Sequence, residues 1–343
     1  MSAQIRPKVW IVLVNWNGWR DSIECLESVF RQDYSNFGVI LCDNDSSDGS
    51  LAAICDWARG DVAYSPPTGP LARLTTPSLP KPLPYRLLES AAQARLGKDS
   101  AALQLVPTGG NLGFAGGNNV GIRLALTDPD CAYVWLLNND TVVEPDCLGH
   151  MVDRATTAPR AGITGSINYF YSDSDRVQAL GGGTFSRYRV RSSLHAFGLQ
   201  SAQLTPDVRA AAEQRLDWVS GASMLVSRAF IERVGEMEER YFLYYEEIDW
   251  ALRGHAEFRN AVALDARLYH KAGSATGEHS DSAFAVYTMC RSRFKLYRKF
   301  MPVWLPACYM RTGRDILAAV VKGRRVNARA MWRASVDDLL MRN

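Results

Sequence analysis

An open, mostly parallel α/β sheet is the fold that the sequence predicts, and three observations predict it. Continuous apolar runs at 9–17 (VWIVLVNWN), 37–45 (FGVILCDND) and 131–137 (CAYVWLL) read as strands buried on both faces. Segments with helical spacing separate them, the pattern of strand–helix–strand units. Asn and Asp recur where the runs end, and in such sheets ligands bind beyond the carboxyl ends of strands.

Each element follows in order. Ile23, Leu26, Val29 and Phe30 give 21–33 a helical face. SSDGSLAAICDWA opens a second helix with serines and an aspartate suited to capping. Residues 61–102 are Pro-rich and read as an exposed, partly mobile insertion that is neither strand nor helix. LQLVP (103–107) resumes as a strand, GGNLGFAGGNN (109–119) reads as a glycine-rich loop, and VGIRLAL begins a helix. PDCLGHMVDRA is expected to be helical and AGITGSINYF a strand. GGGTFSRYRVRSSLHAFG alternates like a hairpin, and DWVSGASMLVSRAFIERVG reads as strand then helix. YFLYYEEIDWALRGH is aromatic, then acidic, then helical, and AVALDARLYH is a last strand ending at His270.

The 343 residues are 47% hydrophobic and 22% charged, enough for one large domain plus an addition. The net charge of +3 hides an asymmetry: residues 281–343 carry 13 Lys and Arg against 4 Asp and Glu. The body is therefore mildly acidic and the tail strongly basic. Seven scattered cysteines without CxxC spacing read as free thiols in a reducing compartment. MSAQIRPKVW lacks the apolar stretch of a signal peptide. No run approaches the roughly 20 apolar residues of a membrane helix, so a soluble or peripheral protein is expected.

The strand ends carry Asn15, Asn17, Asp43 and then Asn138-Asn139-Asp140. Turn chemistry explains any one of them, but three such ends in one chain suggest a pocket. The glycine-rich loop feeds a helix N-terminus, which suits phosphate, although it matches no standard nucleotide loop. Mg²⁺ commonly takes one or two carboxylates plus phosphate oxygens, so Asp140 alone suffices if a diphosphate supplies the rest, with His270 as a further ligand. Glu246, Glu247 and Asp249 follow a run of aromatics. Acids there suit the helix dipole, and a carboxylate crowded by aromatics can also serve as a general base.

Taken together, VLVNWNGWRD, CDNDSSDGS, GGNLGFAGGNN, LLNNDT, WVSGASMLVSR, VGEMEERYFLYYEEIDWALR and HKAGS resemble family 2 glycosyltransferases of the GT-A fold, in particular the rhamnosyltransferase-like group. The resemblance spans roughly residues 8–275. It implies a catalytic domain over 1–275 with the 61–102 insertion, and a basic, aromatic, helical region over 276–343. It further implies that Asn15, Asn17 and Asp43 border a nucleotide, and that Asn111, Gly113, Phe114 and Asn118 line the donor groove. Asn138-Asn139-Asp140 stands for the DxD motif, with Asp140 and His270 on Mg²⁺ or Mn²⁺. Gly221 and Ala222 would lie near donor and acceptor. Glu247 falls at the catalytic base, in a Glu246-Glu247 pair where the family usually has Glu-Asp, and Glu246 or Asp249 could share the task.

The implied reaction is inverting, metal-dependent transfer of a sugar from a nucleoside diphosphate to a hydroxyl of a glycan or lipid-linked glycan, in bacterial cell-surface polysaccharide synthesis. L-rhamnose from dTDP-rhamnose leads, with UDP-hexoses behind. A nucleotidyltransferase is the runner-up, but NWNGWRD poorly matches the basic glycine-rich loop it needs. A non-catalytic glycan- or lipid-binding protein is the other alternative. RSRFKLYRKFMPVWLPACYM mixes cations with aromatics and suits an anionic membrane surface at the inner face of a cytoplasmic membrane. Helices packed on the domain, or a homo-oligomer contact, are the plainer readings. No groove-reading motif points to nucleic acid.

Overall fold

From β1 (Lys8–Asn15), Val9, Ile11 and Leu13 face one hydrophobic cluster while Trp10 and Val12 face another, and all five are buried. The run is continuous because both faces of the strand are covered, at about 1.5–3 kcal/mol for each large apolar side chain. The computed structural model describes residues 6–271 and 282–341. The first half continues with α1 (Trp19–Val29), β2 (Phe37–Asp43), α2 (Ser50–Arg59), β3 (Tyr85–Leu87), β4 (Leu103–Pro107), α3 (Gly113–Ala125) and β5 (Cys131–Asn138). Then come β6 (Thr141–Val143), α4 (Cys147–Thr157), β7 (Ala161–Phe170), β8 (Asp173–Leu180), β9 (Gly182–Ser186) and β10 (Arg191–Leu194). After α5 (Pro206–Gln214) follow β11 (Trp218–Val219), β12 (Ser223–Ser227), α6 (Arg228–Val234), α7 (Glu246–Gly254) and β13 (Arg259–His270). Three helices close the chain: α8 (Ala283–Phe300), α9 (Leu305–Val321) and α10 (Arg325–Leu339).

Ten strands form the main sheet in the order β3-β4-β2-β1-β5-β12-β7-β13-β6, with β8 beside β7. The five from β3 to β5 are mutually parallel. β12 runs antiparallel between β5 and β7 and marks the end of that half. Register aligns the carboxyl ends: Asn15 opposes Asp43, Val14 opposes Asn138, and Asp43 opposes Pro107. His270, at the end of β13, opposes Thr141 next to Asp140. The polar strand ends predicted to share one edge do share it.

Three expectations are corrected. The Pro-rich insertion is not simply an exposed excursion. It supplies the edge strand β3, and Leu71, Leu74, Leu88, Ala94 and Leu96 within it are buried. Its anchor is the fully buried Glu27 of α1, which accepts from the Leu79 amide (2.8 Å) and from the Trp57 indole (3.0 Å). The glycine-rich stretch is mostly helix, since α3 begins at Gly113. A Cβ on Gly117 or Gly121 would lie 2.8 Å from Val14 or 2.3 Å from Val12, so these glycines bring α3 down onto β1. The N-cap of α2 is Gly49 in the left-handed region, not a serine, and Asp48 accepts from the Ser50 amide at 3.0 Å.

The basic tail also divides. Phe294, Leu296 and Tyr297 of α8 are fully buried, so these side chains of the basic stretch are core. Most of the exposed apolar residues of the tail lie beyond α8, among them Val303, Met310, Leu317, Val321, Val326 and Trp332, while Phe284 and Met289 of α8 are exposed as well. Among the described residues no helix is long and apolar enough to cross a membrane. All seven cysteines are free and buried. The last three residues of the HKAGS motif, 272–274, lie outside the described residues.

Candidate active site

The strand ends are knitted by side chains. Asn15, fully buried, donates to Asp43 Oδ1 at 2.8 Å and to the Ser46 hydroxyl at 3.0 Å. Its Oδ1 accepts from Ser22 at 2.8 Å and from Asn139 at 3.4 Å, while Asn139 also donates to Ser22 at 2.9 Å. The Ser46 amide and hydroxyl donate to Asp43 at 3.1 and 2.7 Å. Asn17 sits in the left-handed region (φ 52°) and accepts from the Ser47 amide at 2.8 Å. The edge is therefore rigid without ligand, because nearly every polar atom has a fixed partner.

At the neighbouring strand ends, Asp140 Oδ1 and His270 Nε2 lie 3.1 Å apart, both side chains being largely buried. His270 Nδ1 is 2.7 Å from Gln178 Oε1, an oxygen that can only accept, so that nitrogen carries the proton. Asn138 Nδ2 donates to Nε2 at 3.1 Å. Nε2 has one lone pair, which Asn138 meets in the neutral ring, and the Asp140 carboxylate lies beside it, so a cation displacing the Asn138 contact would find one nitrogen and one oxygen ligand side by side. A divalent ion with octahedral ligands at about 2.1 Å places adjacent ligands about 3 Å apart, so the residues fit one. Gln178 fixes the ring as a second-layer partner usually does. Among the described residues no cluster of three or more His, Cys, Asp or Glu able to hold a metal is found, so other ligands must complete the sphere.

The helix N-terminus at α3 does not offer the phosphate cradle expected of it. The Phe114 amide donates to the Phe242 carbonyl at 2.8 Å, and a Cβ on Gly113 would lie 2.3 Å from that same oxygen. Asn111 Oδ1 accepts from the Gly113 amide at 3.1 Å, and Asn118 is buried and donates to its own helix at Phe114 O (2.9 Å). The chain capping α3 is the loop that leads to the acids. Gly221 and Ala222 stand across from it: a Cβ on Gly221 would lie 3.4 Å from the Phe114 ring, and the Asn138 amide donates to Ala222 O at 3.1 Å.

The acid loop is strained. Phe242, Tyr244 and Tyr245 all have positive φ (55°, 67° and 73°), which costs bulky side chains on the order of 1–2 kcal/mol each. Ser292 of α8 holds it by donating to the carbonyls of Tyr241 (3.2 Å) and Leu243 (2.9 Å). Glu246 and Glu247 then open α7. Burial, followed by the charge of Glu247, raises the Glu246 carboxyl well above its ordinary range. Burial also pushes Glu247 up, to about 7. Glu246 is 3% exposed, and its Oε2 has no hydrogen-bond partner among the described residues. Glu247 is only partly buried, which leaves it the more accessible of the two.

Asp249 does not join them as a third acid. It is fully buried and ion-paired to Arg253 (2.7 Å) and Lys299 (2.6 Å), and it accepts from Tyr241 at 3.0 Å. Its carboxylate ties α7 to α8 and to the acid loop. Sequence reasoning missed Ser22 and Ser46, positioning partners close in sequence to Asn15 and Asp43, and Gln178 and Ser292, which come from distant segments. It also missed Asn44, which follows Asp43 and bonds Gly113 O (3.0 Å) and Asn111 (3.3 Å). Asn44 and Ser46, in the same CDNDSSDGS run as Asp43, carried a local signal.

Comparison with known proteins bears on the family and the fold. The family model "Glycosyl transferase family 2" matches residues 87–202. The N-acetylglucosaminyl-diphospho-decaprenol L-rhamnosyltransferase of Mycobacterium tuberculosis is 28% identical over 254 residues, 66% of this chain and 79% of the relative. The low-salt glycan biosynthesis hexosyltransferase Agl10 of Haloferax volcanii is 26% identical over 195 residues, 56% of this chain and 59% of its own length. Among solved structures, the mannosyltransferase PcManGT of Pyrobaculum calidifontis, in complex with GDP-Man and Mn²⁺, superposes with a TM-score of 0.56 at 15% identity, covering 99% of this chain and 89% of that one. GalNAc-T7 with UDP, GalNAc and Mn²⁺ gives 0.55 at 12% identity, covering 84% of this chain and 48% of that one. These two likenesses speak to the fold.

Proposed function

Because this chain is a family 2 glycosyltransferase with the GT-A fold, we propose that it is an inverting, metal-dependent enzyme that transfers a sugar from a nucleoside diphosphate to a hydroxyl of a lipid-linked glycan. The observation that carries the reading is the Asp140–His270 contact at 3.1 Å, a carboxylate and an imidazole side by side at the strand edge. dTDP-L-rhamnose is the leading donor, in line with the activity named for the mycobacterial relative, and UDP-hexoses come next. That relative's name also gives a diphosphate-linked lipid as its acceptor, which supports the same class here.

The chain's own residues divide the work. Asn15, Asn17 and Asp43 border the nucleotide, and Asn138 orients His270. Asp140 and His270 would hold Mg²⁺ or Mn²⁺, which supplies charge to offset the negative charge on a departing diphosphate. Glu247, raised to about 7, takes the proton of the acceptor hydroxyl as its oxygen attacks the anomeric carbon. The bond from that carbon to the diphosphate oxygen breaks on the opposite face, so one displacement inverts the centre. Glu246, whose carboxyl burial and then the charge of Glu247 raise well above its ordinary range, opposes a second charge on the pair. Holding both substrates at one edge supplies much of the remaining acceleration.

The exposed apolar residues of α9 and α10, interspersed with Arg314, Lys322, Arg324 and Arg325, suit an anionic bilayer. Such a contact would bring the enzyme to a lipid-linked acceptor at the inner face of a membrane. The experiment is a panel of nucleotide sugars with and without Mn²⁺. Metal-dependent release of nucleoside diphosphate from one donor is expected; release from none would leave a binding protein on a glycosyltransferase fold.

A further inference from the structure

Lys271 lies one residue beyond His270 and takes no part in the chemistry assigned above. Its amide donates to the Asp140 carbonyl at 3.0 Å, which carries the pairing of β13 with β6 one residue past His270 and Thr141. Its side chain then leaves the sheet and crosses to α1. The ammonium donates to Asp21 Oδ1 at 2.6 Å and to Glu24 Oε2 at 2.5 Å. Glu24 is buried, and its second oxygen accepts from the Tyr171 hydroxyl at 2.6 Å. The ammonium also lies 4.9 Å from the centre of the Tyr171 ring, within the range of a cation–π contact. The Tyr171 amide in turn donates to the His270 carbonyl at 3.0 Å. Two carboxylates, a phenol and a lysine thus close on the backbone at Asp140 and His270.

The helix that receives Lys271 also holds the rest of the edge. Ser22, between Asp21 and Glu24 in sequence, bonds Asn15 at 2.8 Å and Asn139 at 2.9 Å. Farther along α1, Cys25 Sγ lies 3.6 Å from the Thr141 hydroxyl, and Ser28 accepts from the Val143 amide at 3.2 Å. This helix therefore runs along the 138–143 segment and sets Asp140 relative to Asn15 and Asp43. His270 arrives from β13, far along the chain, and Lys271 ties that strand end to the same helix. A part-buried ion pair loses in hydration much of what it gains in attraction, so it is better explained by the one arrangement it enforces than by stability. An ion that demands near-ideal octahedral ligands needs such an arrangement.

We propose that Lys271 is a positioning residue of the metal site: clasped by Asp21, Glu24 and Tyr171, it holds the His270 end of β13 where His270 and Asp140 can share one divalent cation. The proposal rests on the metal assignment above and adds the side chain that sets its geometry. It predicts a sign opposite to that of simple electrostatics. Lys271 is itself a cation, next in sequence to a metal ligand, so its loss would tighten Mn²⁺ binding if charge alone mattered. Loss of the clasp weakens that binding instead.

The test measures the Mn²⁺ affinity of the full chain by electron paramagnetic resonance, with saturating dTDP and, separately, UDP. Lys271→Met is expected to bind Mn²⁺ at least about tenfold more weakly than wild type, as loss of an outer partner of a metal ligand commonly does. Its affinity for the same nucleotide without metal should stay within about twofold. Lys271→Arg, which keeps the charge and can meet both carboxylates, should lie within about threefold of wild type for Mn²⁺. Tyr171→Phe removes only the hydroxyl that holds Glu24, should weaken Mn²⁺ about threefold, and decides the question if Lys271→Met does not fold. Unchanged or tighter Mn²⁺ binding in the deciding variant would overturn the proposal, as would a Lys271→Arg protein as weak as Lys271→Met. An equal loss of metal-free nucleotide binding would mark a general structural role and overturn it too. These results would leave the metal reading standing, whereas a wild-type protein that binds no Mn²⁺ with either nucleotide would sink that reading and the clasp with it.

Discussion

The strand edge and the acid loop are built on opposite principles. At the edge, Asn15, Asp43, Asn139, Ser22 and Ser46 form a buried network in which donors meet acceptors at 2.7–3.4 Å. At the acid loop, three bulky residues sit at positive φ, and a buried carboxylate oxygen lacks a hydrogen-bond partner among the described residues. Under the proposed transfer reaction the edge needs rigidity, because a nucleotide must find fixed partners there, and the loop needs a carboxyl of raised proton affinity, which requires burial without good hydrogen bonds. Its strain persists because Ser292, Phe114 and the Asp249 ion pairs over-determine its path.

Breaking the loop's chemistry should give the largest effect. Glu247→Gln is expected to lower turnover by about 10²–10⁴-fold while donor affinity, measured by nucleotide titration, stays within about twofold. Full activity would move the base elsewhere. At the edge, Asp140→Ala is expected to remove the stimulation by Mn²⁺, at least about 100-fold in kcat, since a metal's charge stabilisation is worth several kcal/mol. Asp249→Asn separates structure from chemistry. Loss of its pairing with Arg253 and Lys299, both partly solvent-screened, should cost about 2–3 kcal/mol of stability. A thermal melt should show this as a fall in Tm of several degrees, with turnover per folded molecule reduced far less than in Glu247→Gln. If turnover vanished in a stably folded Asp249→Asn protein, the ion-pair reading of that residue would fail.

The smallest effects concern pH. A base must be deprotonated to accept a proton, so kcat/KM should rise with pH through about 7, where burial places Glu247. In Glu246→Gln that inflection should persist, because burial of Glu247 itself is the leading cause of its shift. The same substitution should stabilise the fold more at high pH than at low. A carboxyl whose folded pKa is raised favours the folded state only while it stays protonated, and that advantage fades as pH rises from its unfolded value through its folded one. A Glu246→Gln protein equally stable relative to wild type at pH 5 and pH 8 would contradict the burial argument.

The two regions also differ in how far the sequence revealed them. β1, β2 and β5 were readable from continuous apolar runs, β4 and β7 from shorter or mixed strand-like segments, and the strand-end Asn and Asp residues pointed to one edge, because parallel register aligns such ends. The glycines misled: GGNLGFAGGNN looks like a ligand loop, but Gly117 and Gly121 are demanded by Val14 and Val12 on a strand about 100 residues earlier in the chain. Asp249 misled likewise, since its partner Lys299 lies 50 residues away. Gln178, which sets the tautomer of His270, lies on a strand whose DSDRVQAL run lacks alternation at its start. The Pro-rich insertion concealed an edge strand, because β3 is three residues long and two of them are exposed. Long-range partners leave no local mark on a chain.

The assignment of Asp140 and His270 is tested most directly by Mn²⁺ affinity, read by electron paramagnetic resonance with and without nucleoside diphosphate. Two protein ligands leave most of the coordination sphere to the diphosphate and water. Weak binding by the protein alone is therefore expected, tightened at least tenfold by the nucleotide, with the tightening lost in Asp140→Ala. Tight Mn²⁺ binding without nucleotide, or tightening that survives Asp140→Ala, would contradict the site.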